Sequence, residues 1–321
     1  TGCGTSEHGA LARVEILADA LDAVGLGGAP GAVAAAQAFE ASLAPQRGGL
    51  LVGVSHEGGT TATNAALAAG RAAGARTALV TVGAGSPGAA LADIVVATGE
   101  MDQSWCHTIG YLSPLLAASA VGAALTGGDP QPVLVRALLA AGLASDVLTA
   151  AEAAAGALAR VDRLIVAASG ADRPAGRELA LKVEEASYLP TVARDLETWL
   201  HGHLPATDAA TGLVVVSTER RARPARVERM VALLRAAEAI GMPVVAVASE
   251  GAAEGLPAGL TGAGRIVVPE AASLPAPVAA LLATAVPLQL LTERLARARG
   301  TNPDTLRRHE AIYLEAGERH G

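Results

Sequence analysis

The sequence predicts an α/β protein made of two tandem units, each a parallel sheet flanked by helices. Short runs rich in Val, Ile and Leu alternate with longer Ala/Leu-rich helical patterns, and this alternation occurs twice along the chain. Hydrophobic residues make up 51% of the chain but aromatic residues only 2%, so the cores must consist of Ala, Val and Leu. Such small side chains let helices and strands approach closely, as layered α/β proteins require.

Seven segments have the pattern of strands and six have the pattern of helices. The predicted strands are Leu50–Ser55, Thr77–Val82, Asp93–Thr98, Arg163–Ser169, Gly212–Ser217, Pro243–Ala248 and Arg265–Pro269. Because they are continuous apolar runs, we expect them to be buried on both faces. The predicted helices cover residues 5–24, 60–74, 108–126, 173–188, 222–241 and 276–299. Strands that alternate with helices in this way imply right-handed crossovers between parallel neighbours.

The same pattern predicts the domain organisation. We expect a first domain over residues 1–128, a helical connector over 129–160, a second domain over 161–275, and a final helix and tail over 276–321. The chain starts in a glycine-rich loop with no strand before it, so we expect that the first strand of the first domain is truncated. Two similar units suggest a duplication, with a ligand site where the two meet.

Composition excludes several classes of function. The formal net charge is −7, whereas nucleic-acid binding needs a positive stripe. Cys3 and Cys106 are too few for a disulfide framework. The longest uncharged apolar stretch, near residues 112–125, is too short to span a membrane and is expected to be a buried helix. Without a signal peptide, a cytoplasmic location is expected.

Three loops that follow strands or precede helices have the composition of ligand-binding loops. They are Gly2–His8, Val54–Thr61 and Ala168–Pro174. Glycines let the backbone approach a ligand, while hydroxyls and free amides donate hydrogen bonds, although turns and helix caps use the same residue types. None of the loops matches a dinucleotide fingerprint or a nucleotide P-loop. The candidate binding residues are Thr5, Ser6, Ser55, His56, Glu57, Gly58, Thr60 and Ser169.

The chain has 24 basic residues, and only Lys182 among them is a lysine. Arginine cannot provide a compact ammonium with an adjustable pKa, so a site that keeps lysine can require that property. Glu185 follows three residues later, which places both side chains on one helix face. A surface helix pair is the alternative reading of the same spacing.

The first two of these loops, followed by Glu100 and Ser104–Tyr111, and the helix around Lys182 resemble the sugar isomerase (SIS) domain family. Residues 177–188, followed by Leu200-His201-Gly202, are similar to the second SIS domain of the isomerase half of glucosamine-6-phosphate synthases. The resemblance implies two SIS domains, each a flavodoxin-like three-layer sandwich. It implies that Glu185 moves the proton between C1 and C2 and that His201 assists ring opening from the partner subunit of a homodimer. A cation near the developing oxyanion assists such a reaction, so Lys182 is expected to be an electrostatic or acid–base partner of Glu185. It also implies that Thr5 and Ser6 bind sugar and that Ser55 and Thr60 bind phosphate.

Three departures from the family pattern limit what the resemblance implies. The sequence shows no glutaminase domain. The synthase lysine that forms a Schiff base corresponds to Ala311, which makes synthase chemistry doubtful. The family's phosphate loop has a second serine where this chain has Glu57. Glu57 either turns away, is countered by a cation such as His56, or marks a changed substrate, and the sequence favours the last.

The resulting hypothesis is a sugar or sugar-phosphate aldose–ketose isomerase that requires no cofactor. Alternatives are a deglycase or deaminase that uses the same proton shift, and a sugar-binding regulatory protein without turnover. Trp105 is expected either to stack on a sugar or to pack in the core. A metal site from His56, Glu57, Cys106 and His107 lacks a tight ligand spacing, so none is expected.

Overall fold

The computed structural model describes residues 1–27 and 32–318. Contacts between residues divide the chain into two compact units. Unit 1 comprises Thr1–Pro130 together with Arg307–Gly321, and unit 2 comprises Gln131–Leu306. Both contain parallel sheets flanked by helices, which confirms the predicted fold class.

Unit 1 contains a three-stranded parallel sheet in the order β1-β2-β3. Its described elements are α1 (Thr5–Ala23), α2 (Ala38–Leu43), β1 (Leu50–Val54), α3 (Thr61–Ala72), β2 (Arg76–Thr81), β3 (Ile94–Ala97), α4 (Ile109–Leu125) and α12 (Ala311–Glu318). The expectation of strands buried on both faces is wrong for β3, which is mostly exposed, whereas β2 is buried from its second residue on. β3 lies at the edge of the sheet, so it has a neighbouring strand on one side only.

Helix α4 differs from the buried helix that the apolar stretch predicts. Tyr111, Leu115 and Ala118 are buried, and α4 packs mainly against α1. Leu116, Val121 and Leu125 are exposed on the same helix. Helix α4 therefore has apolar residues both on the side that packs against α1 and on the side exposed to solvent.

Unit 2 contains a five-stranded parallel sheet in the order β5-β4-β6-β7-β8. Its elements are α5 (Pro132–Ala141), α6 (Ser145–Leu158), β4 (Arg163–Ala168), α7 (Arg173–Ser187), β5 (Thr191–Asp195), α8 (Leu196–Thr198), a π-helical turn (Trp199–His203), β6 (Thr211–Ser217), α9 (Arg223–Ile240), β7 (Val244–Ser249), α10 (Glu250–Gly255), β8 (Gly264–Val268) and α11 (Ala276–Ala298). Strands β6 and β7 are buried throughout, as predicted, and β4 is buried after its first residue.

The sequence pattern did not predict strand β5. Its residues are Thr-Val-Ala-Arg-Asp, so only two apolar residues are consecutive and the strand ends in two charged ones. It is an edge strand that pairs with β4 alone, and most of its residues are only half-buried. An edge strand does not need the continuous apolar run on which the prediction depended.

The core of unit 2 lies between the sheet and its helices. One cluster joins β4, β6 and β7 to α9 and includes Trp199, which is fully buried. Helix α11 packs against α6 and α7. It is long and apolar enough to cross a membrane, but 67% of its most apolar window is buried inside the structure. The bent pair α5 and α6 meets the same test only if the two helices are counted together.

Candidate active site

In unit 1, the loop from β1 to α3 brings hydroxyl groups and free amides together. The Ser55 hydroxyl donates to Thr60 Oγ1 at 3.2 Å, and Ser55 is buried while Thr60 is exposed. Gly58 has φ +68°, and a Cβ there would meet Ser86 Oγ at 2.1 Å. The tight turn therefore requires glycine at position 58.

The amino end of α3 has unsatisfied donors. Thr60 precedes the helix without a side-chain cap. Within the described ranges, the backbone amides of residues 59–63 have no hydrogen-bond acceptor. Uncapped amides at a helix start, next to two hydroxyls, form an anion-binding arrangement. The structure thus groups Ser55, Gly58 and Thr60, as the sequence predicts, in a loop that fits a phosphate group.

His56 and Glu57 in this loop face different surroundings. His56 is buried, and its Nε2 accepts the backbone N–H of Asp102 at 2.9 Å, which places the ring proton on Nδ1. The Glu57 side chain is exposed, and no ion pair joins it to His56 in the described part of the chain. The suggestion that His56 counters the charge of Glu57 is therefore wrong.

Asp102 holds the start of α4 beside His56. Its carboxylate accepts the backbone N–H groups of Thr108, Ile109 and Gly110 at 2.8–3.0 Å. Burial raises the pKa of Asp102, but these hydrogen bonds outweigh burial and hold its pKa below the usual value. The His107 ring lies 4.9 Å from that of His56. Sequence reasoning missed Asp102 because 46 residues separate it from His56.

Thr5 and Ser6 begin α1, close to the end of β1. The amide of Val54 donates to Thr1 O at 2.8 Å, which fixes the first loop beside the strand that leads into Ser55. Thr5 is buried and Ser6 is half-buried. Gly2 must remain glycine, because a Cβ there would lie 2.6 Å from the Ser6 carbonyl.

One residue near the end of the chain contacts the Trp105 ring. The Arg308 guanidinium lies 3.7 Å from the ring centroid of Trp105, in a cation–π contact. The side chain remains 48% exposed, so the expectation of core packing is wrong. Ala311, at the position of the family lysine, begins α12 a few residues later.

In unit 2, Lys182 is buried between two carboxylates of α7. Its Nζ lies 2.5 Å from Glu185 Oε2 and 3.8 Å from Glu178 Oε1. The side chains of Lys182 and Glu178 are 4% and 3% exposed, and that of Glu185 is 23% exposed. The predicted contact of Lys182 with Glu185 is confirmed, and the surface-pair alternative is wrong. Glu178 was missed, although its i−4 spacing to Lys182 was a usable signal.

His201 lies in the π-helical turn whose first residue, Trp199, is buried. The His201 side chain is 74% exposed, and its Nε2 lies 3.0 Å from Glu197 Oε2. Arg229 donates from Nη2 to the same Glu197 oxygen at 2.6 Å. Hydrogen bonds from Arg229 lower the pKa of Glu197. His201 is therefore an exposed imidazole held against an ionised carboxylate.

Ser169 follows β4, and its surroundings differ from those of Ser55. Arg226 donates a hydrogen bond to Ser169 Oγ, and its guanidinium lies where a Cβ of Gly170 would stand. Asp172 is buried and accepts the amides of Thr218 and Glu219 at 2.7 and 2.9 Å. Burial raises the pKa of Asp172. In unit 2, the Ser169 hydroxyl and the Ala171 amide, which donates to Glu219 Oε2 at 3.4 Å, thus already have side-chain partners.

Comparisons with known proteins give one domain-model match and several similar folds. The SIS domain model matches residues 157–254. The C-terminal domain of glucosamine-fructose-6-phosphate aminotransferase from Francisella tularensis has a similar structure, with a TM-score of 0.78 and 20% identity over 94% of this chain and 85% of that one. Tagatose-6-phosphate ketose/aldose isomerase from Escherichia coli has a TM-score of 0.73 and 19% identity, over 95% and 82%.

A third similar structure is glucosamine-6-phosphate deaminase from Thermotoga maritima, with a TM-score of 0.69 and 19% identity over 95% of this chain and 86% of that one. No curated protein sequence matches the chain significantly. At these identities the structural likenesses show a shared fold, and a second SIS domain in residues 1–128 remains a prediction. The stretch that matches the SIS domain model includes the Lys182–Glu185 pair and His201.

Proposed function

We propose that the protein is a sugar-phosphate isomerase that interconverts an aldose and a ketose by moving a proton between adjacent carbons. The observation that carries this proposal is the buried Lys182 between Glu178 and Glu185 within the SIS domain. The similar solved structures support it, because their names refer to sugar phosphates and one is a ketose/aldose isomerase.

Within this arrangement, Glu185 is the base. Moving a proton through an ene-diol requires a group that takes the proton from one carbon and returns it to the next. A substrate must also reach that group. Glu185 is 23% exposed, whereas Glu178 and Lys182 are nearly sealed from solvent. Glu185 is therefore the member of the cluster that a sugar can contact.

Lys182 acts through Glu185 as a positioning residue. Its ammonium fixes one carboxylate oxygen at 2.5 Å. When Glu185 takes up the substrate proton, Lys182 still has the Glu178 carboxylate at 3.8 Å. At an effective dielectric of 20, an attraction over that distance is about 4 kcal/mol. Glu178 thus keeps the buried ammonium balanced while Glu185 is neutral. A Lys182–Glu185 pair without Glu178 would leave the buried ammonium unbalanced during this step.

Phosphate binding is assigned to the β1–α3 loop of unit 1. Ser55 and Thr60 provide hydroxyls, and residues 59–63 provide free amides. These donors favour a phosphorylated sugar over the free sugar that Glu57 suggests in the sequence. Two unit charges 4 Å apart interact by about 4 kcal/mol at a dielectric of 20, so the exposed Glu57 side chain must point away from the phosphate.

His201 is assigned to ring opening. Imidazole can accept and donate a proton near neutral pH, which ring opening requires. Its 74% exposure supports presentation to a second copy of the chain, as the family resemblance implies. Analytical ultracentrifugation together with turnover tests this assignment, since an active monomer would exclude a histidine from a partner.

A turnover screen tests the proposed function. Phosphorylated and free aldoses and ketoses are assayed by NMR for interconversion, and amino sugar phosphates are assayed for ammonia release. Interconversion of a phosphorylated pair is the expected result. Turnover of free sugars alone would overturn the assignment of the loop. Release of ammonia without aldose–ketose exchange would favour the deaminase alternative, while binding without any turnover would identify a sugar-binding protein.

A further inference from the structure

Unit 2 contains a cavity of about 290 Å³ that none of the proposed catalytic residues lines. It lies at the carboxyl ends of β4 and β5, beside the first turns of α7. In parallel α/β sheets this edge is where ligands bind. Gly176 lines the cavity from α7, and a Cβ there would lie 3.0 Å from the Cβ of Ala168. The missing side chain brings helix and strand close together behind the cavity.

Three arginines line this cavity in a chain with an overall acidic charge. They are Arg173 and Arg177 from α7 and Arg194 from β5. One carboxylate, that of Asp195, also lines the cavity. Two positive charges are therefore in excess around a small volume, although the whole chain has a net charge of −7. Such a concentration of guanidinium groups is suited to a phosphate or carboxylate.

The arginines differ in how far their donors are used. Arg173 is held by Asp195, with Nε 2.7 Å from Oδ1 and Nη2 3.3 Å from Oδ2. Arg194 donates only to the carbonyl of Ala193, at 3.1 Å. Within residues 1–27 and 32–318, Arg177 has neither an ion pair nor a hydrogen bond. Arg177 and most of Arg194 are thus available to an anion, and Asp195 fixes the third guanidinium beside them.

The charge and the volume together define the ligand. A phosphate monoester has a charge of about −1.5 to −2 at neutral pH, which matches the excess in the cavity. A volume of 290 Å³ is at the lower end of ligand pockets, so the organic part must be small. His203 and Thr198 lie at the wall formed after β5 and provide further polar groups for hydroxyls.

We propose that this cavity is a second anion site, which binds a small phosphate monoester through Arg173, Arg177 and Arg194. It shares no residue with the loop of unit 1 or with the Lys182 cluster. It would let a phosphorylated metabolite bind the protein independently of the substrate.

Isothermal titration calorimetry of the full chain with inorganic phosphate and glycerol 3-phosphate tests the proposal, with glycerol as the uncharged control. The variant Arg177→Gln/Arg194→Gln removes the available guanidiniums. Arg235→Gln is the matched control, because Arg235 is an exposed arginine of unit 2 outside the cavity. Ser55→Ala/Thr60→Val removes the hydroxyls of the other loop. Thermal unfolding of each variant checks that it folds.

We expect two phosphates per wild-type chain, one of which disappears or weakens about 10-fold or more in Arg177→Gln/Arg194→Gln. The Arg235→Gln variant should retain both. Wild-type stoichiometry in the double arginine variant, or an equal loss in Arg235→Gln, would overturn the proposal. If the wild type binds a single phosphate that only the arginine variant loses, this site stands and the phosphate loop of unit 1 fails. If only Ser55→Ala/Thr60→Val abolishes binding, the phosphate loop of unit 1 stands and the arginine site fails.

Discussion

Replacing Lys182 by methionine tests whether the buried cluster is organised as described. Methionine has a similar length and no charge, so the change removes the ammonium and little volume. Glu178 and Glu185 then remain on the same helix face without the cation that lies 3.8 and 2.5 Å from them. The variant should be less stable than the wild type and should lose turnover.

The size of the stability loss follows from burial. Removing one member of a buried ion pair typically costs about 3–5 kcal/mol, because the remaining charge is left in a dry environment. Glu178 is 3% exposed and bears most of this cost, whereas Glu185 is 23% exposed and can be hydrated. Adding Glu178→Gln to Lys182→Met should therefore recover most of the loss, about 2–3 kcal/mol.

Urea denaturation at neutral pH gives the free energies of unfolding for the wild type, both single variants and the double variant. The cycle yields the coupling between Lys182 and Glu178. A free energy of unfolding for Lys182→Met within about 1 kcal/mol of the wild type would mean that Lys182 does not balance a buried charge. So would additive effects of the two changes, since they would mean that Lys182 and Glu178 do not interact.

Three further changes test other parts of the structure. Asp102→Asn should lower the free energy of unfolding by about 1–3 kcal/mol in urea denaturation. Hydrogen bonds hold the pKa of Asp102 below its usual value. The difference in unfolding free energy between the wild type and Asp102→Asn should therefore be lost as pH falls through that lowered pKa. A difference that does not change with pH would contradict this role of Asp102. Burial lowers the pKa of Arg13 to about 10, and its Nη1 lacks a hydrogen-bond partner among the described residues. Arg13→Met should therefore raise Tm by about 2–4 °C in calorimetry, and a lower Tm would argue against an uncompensated charge. Glu57→Gln should leave KM for the phosphorylated substrate unchanged, because the carboxylate points away from the phosphate as proposed; a KM lowered by about 10-fold or more would mean that it faces the phosphate.

The sequence was sufficient to predict the elements with strong local patterns. Strands β6 and β7 are uninterrupted apolar runs, and the structure buries them completely. The Lys182–Glu185 contact follows from helical spacing alone. β5 was missed because an edge strand needs no such run, and α12 was missed because its eight residues have little amphipathic pattern.

Contacts between distant parts of the chain could not be predicted. His56 turns inward because its ring accepts the amide of Asp102, and Arg308 covers Trp105 from the other end of the sequence. The arginine cavity depends on the pairing of β4 with β5, a strand that had not been recognised. No local pattern indicates such pairings, because they depend on how the whole sheet is assembled.

Isotope exchange measures whether Glu185 transfers the substrate proton. Wild-type protein in deuterated water should incorporate deuterium at the carbon next to the carbonyl of its sugar phosphate, as followed by NMR. Glu185→Gln should slow this exchange by about 10²–10⁴-fold and leave sugar binding intact. Glu184→Gln is the matched control, since Glu184 is exposed and accepts the amide of Thr191. Exchange in Glu185→Gln at the wild-type rate would mean that Glu185 is not the base.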